Sequence, residues 1–155
     1  MLSSQVELER TVLITAKERL LAAADELFYA EGVSHVGIDR VVEHAGVAKA
    51  TLYNAFGSKE ALIRAYLERR QSIREVRFKK ALAPYNSPRD RLLAIFDVVG
   101  GVFAQPGFRG CAFLNVQAQS PLGGTIQEIC DEARGWLHAL FHDLVLDLGV
   151  AQPDE

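Results

Sequence analysis

Apolar residues recur at helical spacing along almost the whole chain, and no stretch alternates polar with apolar as a half-buried strand does. The pattern predicts a helix over 8–31 with Leu20, Leu21, Ala24, Leu27 and Phe28 on one stripe, ending at Gly32. Two short helices follow near 38–45 and 49–55. Ser58 suits the N-cap of a long helix carrying Ala61, Leu62, Ala65, Tyr66, Ile73 and Val76. Ala83-Pro84-Tyr85-Asn86 breaks that helix after Leu82. Ser87-Pro88-Arg89-Asp90 joins a serine cap, proline at N1 and a carboxylate at N3, and so opens the next. This helix carries Leu92, Leu93, Ile95, Phe96, Val99 and Phe103. Gly100-Gly101 predicts a kink or a close-packing point within it, and Pro106-Gly107 its end. A short helix over 110–119, a loop from Pro121 to Gly124 and a last helix over 125–148, with Gly149 as its C′ residue, complete an all-α reading.

The segment from Gly32 to Glu60 carries the most specific pattern. Ile38, Val41, Val42 and Ala45 fall at i, i+3, i+4 and i+7, and Ala45-Gly46-Val47-Ala48 is a tight turn. After the turn Val47, Leu52 and Phe56 point inward, which leaves Lys49, Thr51, Tyr53 and Asn54 facing out. Two short helices joined by a glycine-containing turn form a helix-turn-helix, whose second helix enters the major groove of double-stranded DNA. Lys49 stands where side chains reach base edges or phosphates. Ala50 and Thr51 lie where a methyl group can touch a thymine methyl, and Asn54 can donate to and accept from a base edge or phosphate.

The blocks Thr15 to Phe28, Glu31-Gly32, Ile38-Asp39, Ala45 to Tyr53 and Phe56 to Leu62 resemble, in order and spacing, the N-terminal domain of the TetR (tetracycline-repressor-like) family. The resemblance covers about residues 15–65. It implies an all-helical homodimeric transcription regulator: a three-helix DNA-binding head over 8–57, and a ligand-binding and dimerisation body over 58–155. A small molecule bound in the body would release the DNA operator. The resemblance further implies DNA contacts from Lys49 and Tyr53, the tyrosine at phosphate, and a phosphate contact from Lys59. Two departures stand out. Val36 and Gly37 replace a threonine pair or Thr-Ser pair that caps the helix and holds phosphate, and the recognition helix reads Ala50 and Ala55 where glycine and a polar or aromatic residue are usual. Sequence preference is then expected to be narrower, or to rest partly on DNA shape. Chains of the family continue for further helices, and Pro153-Asp154-Glu155 reads as the first turn of another helix. The body is therefore expected to be incomplete at its C-terminus, or the dimer to be built differently.

Composition changes this picture little. The 155 residues are 49% hydrophobic, 24% charged and 8% aromatic, which argues against disorder. The net charge of −3 gives no global basic signature, so DNA binding has to come from local patterning. The cations between Arg64 and Lys80 read as a solvated helix face. The first residues have no secretory pattern and no apolar run approaches a membrane span, so a cytoplasmic location is expected. Cys111 and Cys130 form no disulfide framework or zinc motif. His138 and His142 lie one turn apart without an evident third ligand, so neither a metal nor a cofactor is expected.

Beyond Ser58 the chain is richer in apolar residues than DNA docking requires. Phe96, Phe103, Phe113, Trp136 and Phe141, with Gln117 as a polar group, are candidates for a ligand pocket; for each aromatic the alternative is plain core packing. Cys111 follows a glycine near a helix start, where thiol pKa falls, so a thiol-based electrophile or redox sensor is one competing reading and a small buried hydrophobe the other. A helical protein-interaction module is a further rival. No nucleophile elbow, dinucleotide fingerprint or phosphate loop points to an enzyme.

Overall fold

In the computed structural model, residues 15–120 and 124–150 are described, and they form seven α-helices with no strand among them. These are α1 Ala16–Glu31, α2 Ile38–Ala45, α3 Lys49–Phe56, α4 Lys59–Leu82, α5 Pro88–Phe103, α6 Ala112–Gln119 and α7 Gly124–Asp147. The expected helical extension over 8–14, most of the loop after Pro121 and the turn at Pro153 lie outside the described residues.

The helix ends follow from local chemistry. Thr15 caps α1 in a capping box: its Oγ1 accepts from Glu18 N at 3.1 Å, and Glu18 Oε2 accepts from Thr15 N at 2.7 Å. Ser58 caps α4 by accepting from Ala61 N at 3.0 Å, and Ser87 caps α5 ahead of Pro88. Gly46 closes α2 in the left-handed region, at φ 64° and ψ 41°, and its N–H returns to the last turn. The expected disturbance at Gly100-Gly101 is absent. α5 runs through both to Phe103, and a Cβ on either would meet nothing within 4 Å.

The apolar core does not divide at residue 58. One core joins α1, α2 and α3 to the first half of α4 through Leu62, Ile63, Tyr66 and Leu67, and continues into Phe113 and Val116 of α6 and Ile126, Ile129 and Cys130 of α7. A second core joins Phe78 and Leu82 of α4, Ala94 and Ile95 of α5 and Leu144 of α7. The two long helices α4 and α7 therefore pass through both cores. Arg74 lies between them, its guanidinium over Phe113 at 4.9 Å and over Trp136 at 5.2 Å. Its Nη2 donates to Ala133 O and Gln71 Oε1, while its Nε is buried without a partner. Desolvation lowers its pKa from the ordinary arginine value.

Candidate nucleic-acid interface and body clefts

α2 packs Val41, Val42 and Ala45 inward, and α3 buries Leu52 completely. That packing fixes the outward face of α3. Lys49, Ala50, Tyr53 and Asn54 are exposed and Thr51 is half-exposed, so the five expected groove-facing residues share one accessible helix surface. Tyr53 is 46% exposed, a large aromatic left in solvent beside polar neighbours. No side chain caps the N-terminus of α2 or of α3, so both present uncapped backbone N–H groups of the kind that receive phosphate oxygens. Val36, which replaces one of the hydroxyl residues of the resembled pattern, is wholly buried and serves the core instead.

Two lysines are engaged within the protein. Lys49 Nζ lies 2.8 Å from Asp39 Oδ1, which joins the start of α3 to the start of α2 and holds the lysine above its ordinary pKa. Lys59 Nζ donates to Val33 O at 2.6 Å, tying α4 to the turn after α1; its ammonium retains further donors. Neither partner was visible in the sequence spacing.

Other ties hold this unit to the remaining helices. Tyr29 Oη donates to Gly110 O at 3.0 Å and accepts from Arg109 N at 3.0 Å, so α1 grips the turn before α6. The far end of α6 is held by Gln119, whose Oε1 accepts from Ser34 Oγ at 2.9 Å and Ser34 N at 3.2 Å. Arg70 of α4 makes a bidentate pair with Asp25 at 2.7 and 2.9 Å and stacks 4.1 Å from the Tyr29 ring centre. Tyr66 lies beneath, its hydroxyl pushed up to about 12 by burial. These contacts join residues far apart in sequence, so no local motif announces them.

The six residues expected to line a ligand pocket do not form one. Phe113 belongs to the first core, while Trp136 and Phe141 pack against the second. Phe96 and Phe103 are 59% and 61% exposed, because α5 turns Leu92, Ala94, Ile95, Val98 and Val99 inward and both of its faces carry apolar residues. Gln117 is half-buried on α6. Trp136 does line a cleft of about 500 Å³ between α4, α5 and α7, together with Phe78, Leu82, Tyr85, Arg91 and Leu140. Cys111 is exposed at the N-cap of α6, and Cys130 is buried with its pKa raised by desolvation; both thiols are free. Among the described residues no group of histidine, cysteine and carboxylate side chains is arranged to hold a metal ion, and no helix is long and apolar enough to cross a membrane.

Comparison with known proteins agrees with this architecture. Residues 20–66 match the model of bacterial regulatory proteins of the tetR family. The crystal structure of a TetR-family transcriptional regulator from Streptomyces coelicolor is 35% identical, with a TM-score of 0.80 over 85% of this chain and 70% of that one. The transcriptional repressor NemR of Escherichia coli strain K12 is 31% identical over 117 residues, covering 74% of this chain and 54% of the repressor. An HTH-type transcriptional regulator of Mycobacterium tuberculosis strain H37Rv is 39% identical over 80 residues, covering 50% of this chain and 39% of its own length. The chain thus spans about half or less of these two curated relatives. It belongs to the TetR family of transcriptional regulators.

Proposed function

We propose that this chain is a sequence-specific, DNA-binding transcriptional regulator without catalytic activity, a repressor that leaves its operator when a small molecule binds. The observation that carries the reading is the α2–turn–α3 unit. Its buried face fixes Lys49, Ala50, Thr51, Tyr53 and Asn54 on one exposed surface, beside two uncapped helix N-termini. Lys59 stands behind them as a phosphate contact that also steadies the turn after α1.

The working form is a cytoplasmic homodimer, which places two recognition helices in successive major grooves of a palindromic operator. In functional terms residues 8–57 form the reading head, and the helices from residue 58 onward form the effector and dimerisation body. The effector site is the cleft lined by Trp136. α4 links it to the head: 24 helical residues extend about 36 Å at the usual rise. Small-molecule release then follows from a coupling free energy between cleft and head.

The test is selection of bound sequences from a random DNA pool with the full chain. A palindromic consensus is expected. Recovery of no consensus, together with passage through non-specific DNA without retention even at low salt, overturns the reading in favour of a helical protein-interaction module.

A further inference from the structure

The cleft between α4, α5 and α7 has a chemical signature of its own. Its walls are Phe78, Leu82, Trp136 and Leu140, so most of what a bound molecule meets is apolar. Arg91 is half-buried in the lining, and its Nε is buried with no hydrogen-bond partner. Lys79 adds a second cation to the lining. Among the described lining residues Glu75 is the single carboxylate, and it is already engaged, accepting from Gln71 Nε2 at 2.5 Å.

The Arg91 Nε is itself closed to solvent, so a bound group would meet the guanidinium at its terminal nitrogens, and a guanidinium without a counter-charge beside apolar walls is costly. The guanidinium is a planar fork that matches a carboxylate, and against apolar walls that match is stronger than in water. A neutral head group leaves the fork without its counter-charge. An ammonium head is repelled by Arg91 and Lys79.

We propose that this cleft binds an amphipathic monocarboxylate, its carboxylate on Arg91 and its apolar body against Trp136 and Leu140. The ligand class deepens the effector reading given above and rests on it only for the consequence at DNA; binding itself is independent of that reading.

Trp136 is the chain's single tryptophan, so the full chain carries its own reporter. The probes are octanoate, octan-1-ol and octylamine, three chains of one length that differ in head-group charge. Octanoate is expected to change Trp136 emission along a saturable curve, with the alcohol and the amine weaker by about tenfold or more. Arg91→Gln is expected to weaken octanoate by a similar factor while leaving the alcohol unchanged. Arg91→Lys, which keeps the charge without the fork, should lie between, and it serves if the glutamine variant loses helical circular dichroism.

Equal binding of octanoate and octanol, preference for octylamine, or octanoate binding that ignores both Arg91 variants would each overturn the proposal. Affinity for the selected DNA is measured in parallel. Octanoate bound through Arg91 with DNA affinity unchanged supports the site and counts against the effector role. Loss of a palindromic consensus in the absence of any probe counts against the regulator reading alone.

Discussion

Lys49 Nζ and Asp39 Oδ1 meet at 2.8 Å across the turn of the helix-turn-helix, so the first residue of the recognition helix is paired with a carboxylate of the preceding helix. Both side chains are largely exposed, and such a pair is weak in water. A phosphate can therefore compete with Asp39 for the lysine. Asp39→Asn removes a negative charge from the surface proposed to face DNA and releases Lys49. Retention on non-specific DNA at low salt is expected to strengthen by about threefold to tenfold, with a steeper salt dependence. Weaker retention would mean that Asp39 serves to aim the lysine.

Tyr53 and Thr51 should separate affinity from specificity. Tyr53→Ala is expected to weaken binding by about 1–3 kcal/mol on matched and mismatched sites alike, as a phosphate contact does. Thr51→Ala should instead shift the base preference recovered from a random pool. Variants that both bind the selected site like the parent would remove α3 from the interface.

Tyr29 bridges Arg109 N and Gly110 O through one hydroxyl, and its ring supports the Arg70–Asp25 pair. Tyr29→Phe keeps the ring and removes both hydrogen bonds. A loss of about 1–2 kcal/mol in denaturant unfolding is expected, with the Arg70 stack intact. An unchanged midpoint would show that water replaces the hydroxyl without cost.

Two glycines with positive φ should respond unequally to alanine. Gly46 has φ 64° and open space around it, so Gly46→Ala carries only the left-handed penalty of about 1 kcal/mol. Gly32 has φ 90°, and a Cβ there would stand 2.4 Å from Gln119 Oε1. Gly32→Ala must therefore also displace Gln119 from Ser34 and should cost more in thermal unfolding. Part of the excess should vanish in a Gln119→Ala background, because the two positions are in contact.

The two thiols differ in access. Cys111 is exposed, whereas Cys130 is 2% exposed and its Sγ donates to Phe113 O at 3.5 Å. Burial raises the Cys130 pKa, so at any given pH its thiolate is scarcer than that of an ordinary cysteine. An aromatic disulfide reagent at neutral pH is expected to modify one thiol in the native chain and both of its two cysteines in denaturant. Native reaction at Cys130 should rise only as the pH is carried above the usual thiol range.

Helix positions were the most legible part of the sequence, because caps and period are local properties. Ser58, Ser87-Pro88 and Gly46 each mark the boundary they were read to mark. The exposed face of α3 followed from Val47, Leu52 and Phe56, of which Leu52 is completely buried and the other two pack against the same core. The body was harder. α5 is apolar on both faces, so its period could not say that Ile95 turns inward while Phe96 and Phe103 turn out. The ties from Tyr29, Asp25 and Gln119 join positions 45 to 85 residues apart, and nothing local to either partner marks them. Arg91 sits in an ordinary first helical turn, where nothing local sets it apart; its unpartnered Nε is a property of packing.

The reading helices have no core of their own. Leu20, Val41 and Leu52 share one apolar cluster with Tyr66, Phe113 and Ile129, so exposing any of them opens surface on α4, α6 and α7 as well. Amide hydrogens in α1 to α3 should therefore exchange through the same opening as those in α6 and the first half of α7, with one common free energy. A fragment cut after Gly57 would carry the exposed residues of α3 without the packing that holds them in place.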